Sequence, residues 1–189
     1  MINDTLQNVT RGAHDVGLAA WLGGSMFGKF ALNPAVAGIS DKSERGKVAN
    51  LAWNGYNVVS SVGLGSAAVG YLAARSTELS DSNITDVERT LYRVQDGLML
   101  TAVLTGVANG VQAGRLAKQA PDGAVPIESG TKPAPETPPA AAKIQKSLGA
   151  LGNVNILAGI ALVALNGMQS RAALSRPPLR RALFRRSTP

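Results

Sequence analysis

His14 and Asp15 place the only imidazole of this 189-residue chain directly beside a carboxylate. Such a pair can pass protons, and a neutral imidazole can ligate a metal. With one His and no Cys, a complete metal site would need other ligand types or a second subunit. His14 is therefore a metal candidate only in that limited sense, and its competing reading is an anchor at a membrane interface. The other chemistry-bearing residues are uncharged amides and hydroxyls. Asn50, Asn54, Asn57 and Ser61 recur at helical spacing, as do Thr101, Thr105, Asn109 and Gln112. Asn155, Asn166 and Gln169 extend the same pattern through Gly152, Gly159 and Leu162. Each set falls on one face of a helix. Small residues run beside them: Ala20, Gly24 and Gly28; Ala102, Gly106, Gly110 and Gly114; and Gly159.

Two functions fit these stripes. Glycine lets backbones approach closely, and Asn, Ser and Thr hydrogen-bond between helices, so the stripes can hold a bundle together. Alternatively they line a polar path. Catalysis is not expected: no G-x-S-x-G, H-E-x-x-H, Walker or Rossmann pattern occurs. Gly63-Leu64-Gly65 lies inside an apolar run and lacks the strand-turn-helix context of a phosphate loop. No cofactor is expected either.

The elements that position these residues follow from where charge is missing. Lys29 is the only Asp, Glu, Lys or Arg within 16–32, 48–73, 97–114 and 147–170. A soluble amphipathic helix keeps a charged face toward water, and a run of about 20 apolar residues covers a hydrocarbon core of about 30 Å. These spans predict an all-α integral membrane bundle of four transmembrane helices. A soluble bundle is the alternative, because Ala and Gly hold the mean hydropathy to +0.07. Yet a small domain has too much surface to hide four helices on every side. Lys29 reads as a side chain snorkelling to the far headgroups. Thr85-Asp86-Val87-Glu88 has the form of a capping box and predicts a helix starting near Asp86. Asn33-Pro34 predicts the end of the first span.

The chain divides into an N-terminal part, 1–118, with three spans, a linker at 119–140, the fourth span within 141–174, and a basic tail at 175–189. Six of the ten prolines fall in 121–140 among few bulky apolar residues, which predicts a disordered linker that tolerates deletion. The tail carries Arg176, Arg180, Arg181, Arg185 and Arg186. The last four, interleaved with Leu179, Leu183 and Phe184, suit anionic headgroups, and they also act as a topology determinant. Lys and Arg are slightly more numerous on the side of both termini, which predicts cytoplasmic termini in a plasma (inner) membrane. The basic pI of 10.1 then reflects topology, and no nucleic-acid partner is expected.

His14, Trp21, Leu22, Gly23, Gly24, Phe27 and the Pro34-Ala35-Val36 exit resemble the first helix of small four-helix membrane proteins of the copper-resistance protein D-like group and related families. The resemblance implies a four-helix bundle and, for the group, copper handling. This chain departs from that function through its single His, absent Cys and dispersed Met1, Met26, Met99 and Met168. Two functional readings remain. One is a non-enzymatic accessory or assembly subunit acting through helix contacts, with the lipid bilayer and a larger membrane complex or a second copy as partners. The other is a small-solute or metal-ion carrier with a polar path between its helices.

Overall fold

The computed structural model describes residues 2–77, 79–81 and 84–174. Four long helices dominate it: α1 (Ile2–Phe27), α2 (Lys42–Ser76), α3 (Asp86–Ala117) and α4 (Pro139–Leu174). α1 packs antiparallel to α2, and α3 to α4, while contacts between these two hairpins are sparser. The all-α expectation holds for the helical framework. The exception is a two-stranded antiparallel hairpin, β1 (Ile127–Ser129) with β2 (Lys132–Pro133). Two of the helices, α2 and the Pro139–Ser170 part of α4, are long and apolar enough to cross a membrane.

Local chemistry sets the helix ends. Asp41 caps α2 by accepting from the Glu44 backbone N–H at 2.7 Å. Thr85 and Glu88 form a reciprocal capping box that starts α3 at Asp86. Asn33-Pro34 does not end the first helix, as the sequence led us to expect. Pro34 has no N–H to return to the Phe30 carbonyl, and the chain widens into a π turn over Gly28–Leu32, where the Asn33 N–H bonds to the Gly28 carbonyl. It then continues as a short helix, Asn33–Ala35, and a 3₁₀ turn, Val36–Gly38.

Glycine brings α1 and α2 together. A Cβ on Gly17 would overlap the Gly63 carbonyl oxygen, and one on Gly63 would come within 2.8 Å of the Gly17 oxygen. Farther along α2, a Cβ on Gly70 would meet the Thr10 oxygen at 2.7 Å. Gly24 faces the Tyr56 ring and Gly28 the Trp53 ring. Large side chains then join the hairpins. Leu22 and Trp21 lie over Gly159 of α4, and Leu64 of α2 lies over Gly106 of α3. Leu18, Trp21, Leu64, Ala67, Tyr71, Met99, Ala102, Ile156 and Leu162 belong to one buried cluster drawn from all four helices.

The segment 121–140 corrects the expectation of a disordered linker. It folds as a cap across the end of the bundle. Val125 and Ile127 are buried with Val36, Ala49 and Ala141 in a second apolar cluster. Gly46 lies so close to the Val125 backbone that a Cβ would overlap it. Arg45 donates to the Ile39 carbonyl at 2.6 Å and the Glu128 carbonyl at 3.1 Å. Lys42 pairs with Glu128 at 2.9 Å and Glu136 at 3.1 Å. The Lys42 bond holds the Glu128 carboxyl below the ordinary range, and a backbone hydrogen bond aided by Lys42 does so for Glu136. Thr137 Oγ1 donates to the Pro126 carbonyl and accepts from the Ala134 N–H. The linker expectation rested on low apolar content, but two apolar residues at the right register suffice to seat a cap whose prolines already limit the unfolded chain.

Two consequences are measurable by thermal unfolding in detergent. Gly17→Ala drives a methyl into a backbone oxygen and is expected to cost ~1–3 kcal/mol. Gly110→Ala, whose Cβ meets nothing within 4 Å, is expected to be neutral or to stabilise by up to ~1 kcal/mol. Equal melting of the two variants would show that α1 and α2 are not in backbone contact. Ile127→Ala should cost ~2–4 kcal/mol through the cavity it leaves, whereas an unfolded cap would leave the melt unchanged.

Candidate functional site

Between the large cluster and the cap, the two hairpins do not close on each other. A cavity of about 570 Å³ lies there, bordered by all four helices and by Gly123, Val125, Ile127, Gly130 and Thr131 of the cap. Its wall is built from the small and polar stripes. Asn50, Asn57, Ser60 and Ser61 come from α2; Gly106, Asn109, Gly110 and Ala113 from α3; Gln145, Gly149, Gly152 and Asn153 from α4. Trp21, Trp53 and Tyr56 supply aromatic surface. Tyr56 is held by the Trp21 and Ala20 carbonyls, to which its hydroxyl donates. Trp53 Nε1 donates to Asn33 Oδ1 at 2.9 Å.

Lys29 also lines this cavity, and its Nζ donates to Asn153 Oδ1 of α4. The snorkelling expectation is thereby corrected. Lys29 sits in the π turn, and the turn carries its side chain across the bundle instead of along α1. π turns recur at functional sites because they reorient one side chain within an otherwise regular helix.

The sequence-selected polar residues fall into separate places. Thr105 and Asn155 join α3 to α4: Asn155 Nδ2 donates to Thr105 Oγ1 at 2.8 Å and to the Ala102 carbonyl at 3.0 Å. Asn57, Ser61 and Asn109 line the cavity. Asn54 is exposed and outside it, contrary to the expectation that the whole stripe turns inward. At 3.6 residues per turn Asn54 is rotated about 40° off the mean line of Asn50, Asn57 and Ser61. Among the glycines, Gly24, Gly28, Gly106 and Gly159 each face a large side chain, whereas Gly110 faces open cavity and does not pack against a neighbouring helix. No large residue stands opposite it. Arg180, Arg181, Arg185 and Arg186 lie outside the described residues.

His14 and Asp15 do not act as a pair. Successive residues on a helix point about 100° apart, so His14 is buried while Asp15 is exposed. His14 Nδ1 lies 2.6 Å from the Ala67 carbonyl, which can only accept, so Nδ1 carries the proton. Nε2 then accepts from Asn166 Nδ2 at 2.9 Å, and Asn166 Oδ1 accepts from Gln95 Nε2 at 2.6 Å. This chain ties α1, α2, α3 and α4 together beside a smaller cavity of about 320 Å³. Both ring nitrogens are occupied, so a metal on His14 would have to displace Asn166. Among the described residues no group of three or more His, Cys, Asp or Glu is arranged to hold a metal.

Sequence reasoning missed a neighbouring clamp. Asp96 of α3 receives Tyr71 Oη at 2.6 Å and Arg75 Nε and Nη2 at 3.2 Å each, both residues from α2. Partial burial works to raise the Asp96 carboxyl, but the bonds from Arg75 and Tyr71 prevail and hold it below the ordinary range. Tyr71, Arg75 and Asp96 are distant in sequence, and no spacing rule links them.

No protein-family model, curated protein or solved structure matches this chain.

The His14 chain makes its own prediction. His14→Phe preserves bulk but strips Asn166 of its acceptor, and leaving that amide unpaired should cost ~1–3 kcal/mol. Adding Asn166→Leu removes the orphan, so the double variant should melt above the temperature that additivity of the two single variants gives. Strict additivity would mean that the two side chains do not interact.

Proposed function

We propose that the chain is a non-enzymatic, multi-pass membrane protein whose four helices cross the bilayer, and that it takes a small solute into the cavity between its two helical hairpins. The observation that carries this reading is the inverted distribution of polarity. Val58, Val62 and Leu72 of α2 are exposed, as are Leu100, Leu104 and Val111 of α3 and Leu157, Ile160 and Val163 of α4. Asn57, Ser60 and Asn109 line the cavity, and Thr105, Asn155 and Asn166 bond between helices. Only 28% of the most apolar window of α2, and of α4, is buried, which is the reverse of a soluble core helix. An apolar exterior this continuous suits lipid. The cavity lies within the size range of small-molecule sites.

Insertion in the plasma (inner) membrane with both termini on the cytoplasmic side places the cap on the opposite face. The excess of Lys and Arg toward the termini supports that orientation. The assembly-subunit reading is the alternative: it needs the stripes only as packing contacts, and the unfilled cavity speaks against it. The likeness of the first helix to the copper-resistance protein D-like group supports the architecture. The engaged nitrogens of His14 give copper no ready ligand.

The chain has no cysteine, so single-cysteine labelling tests this reading cleanly. Thiolates form only where water reaches. Asn57→Cys, Ser60→Cys and Asn109→Cys should react with a charged, membrane-impermeant methanethiosulfonate in intact vesicles. Val62→Cys and Val163→Cys should not. Equal labelling of all five would place the outer surface in water and remove the membrane reading. Unreactive cavity positions would remove the solute reading and leave assembly.

A further inference from the structure

The cavity carries a specific polar imbalance. Lys29 is the only charged side chain on its wall, and among the described residues it has no carboxylate partner. An ammonium offers three donors, and Asn153 Oδ1 takes one of them without neutralising the charge. Elsewhere on the wall the imbalance is reversed. Gln145 is only 2% exposed, and its Oε1 has no hydrogen-bond partner. Its orientation is pinned, because Nε2 donates to the Ser129 carbonyl of the cap at 3.0 Å. Turning the amide over would set oxygen against oxygen. Asn109 Oδ1 is a second buried acceptor with no partner. Between these groups the surface is apolar, from Trp53, Val103, Leu148 and Ile156.

A fitting occupant must therefore bring a negative group for Lys29, donors for Gln145 and Asn109, and an apolar body. A cation would face the unpaired charge of Lys29 at close range. An inorganic anion would leave the apolar wall and both acceptors unmet. A fatty acid offers a carboxylate but no donor. Resting on the solute reading above, we propose that this cavity binds a small monoanionic organic acid bearing hydroxyl or N–H donors.

The two tryptophans of the chain, Trp21 and Trp53, both line the cavity, so occupancy can be read by energy transfer. The probe is 2-aminobenzoate, which combines a carboxylate, an amino donor and an aromatic ring. It is added to the full chain in nanodiscs of zwitterionic lipid. Saturable transfer from tryptophan is expected. Benzoate, which lacks the donor, should compete at least threefold more weakly, and benzylamine, a cation, should not compete.

Lys29→Gln should weaken probe binding at least tenfold, and Lys29→Arg, which keeps the charge, should retain most of it. Asn109→Ala tests the acceptor side and should weaken binding severalfold while leaving the Lys29 contact in place. A melt of each variant separates lost binding from lost fold. Transfer that does not saturate, equal affinity for benzylamine, or wild-type affinity in a folded Lys29→Gln variant would overturn the proposal. Displacement by oleate at lower concentration than by 2-aminobenzoate would make the occupant a lipid and overturn it as well. If the cavity cysteines label but no acid binds, only the ligand class fails. If they do not label, the solute reading fails with it.

Discussion

Where α1 crosses α2, the backbone of Gly17 lies against that of Gly63 with no side chain between them. Helices this close cannot hold their large residues in the seam. Trp21 and Leu22 are turned toward the second hairpin, where Gly159 accommodates them, and Leu64 is turned into the space over Gly106. The union of the hairpins is thus a set of large-into-small contacts gathered at one level of the bundle. Past that level Gly110, Gly149 and Gly152 continue the small stripes, but no large residue stands opposite, and a Cβ on any of them would meet nothing within 4 Å. Close packing inside each hairpin and emptiness between them have one origin.

That origin explains what could be read in advance. The spans without charge located all four helices, and the Thr85–Glu88 capping box located the start of α3 to the residue. Glycine and asparagine stripes were legible as faces, since spacing alone defines a face. What a face meets was not legible. Gly106 and Gly110 are four residues apart in the same stripe, yet one lies under Leu64 and the other borders a cavity. The difference belongs to the partner helix, which a single sequence does not pair. The cap was misread for a related reason. Composition counts apolar residues without register, and Val125 and Ile127 are few but fall where Val36, Ala49 and Ala141 can bury them.

Lys29 illustrates how a local rule acts at a distance. Pro34 removes one N–H, the Asn33 N–H reaches back to Gly28, and the added residue in that turn swings Lys29 toward Asn153 on α4. Read as part of a regular helix, Lys29 was assigned to the headgroups. Read with the π turn, the same residue lines the cavity between the hairpins. Pro34 acts less as a stop than as the device that aims this side chain.

Stability in this bundle is held at its two ends. The large cluster, the His14–Asn166–Gln95 chain and the Tyr71–Arg75–Asp96 clamp hold the end nearer the chain termini, and the capped cluster with its Lys42 and Arg45 bonds holds the other. The stretch between them contributes least, since no large residue stands opposite Gly110, Gly149 or Gly152 there. A bundle meant only to hold itself together would be more stable with leucine where Gly110 and Gly149 stand. The arrangement makes physical sense if the missing contacts are supplied from outside the chain. A guest that satisfies Lys29, Gln145 and Asn109 would bridge the two hairpins where they do not touch each other.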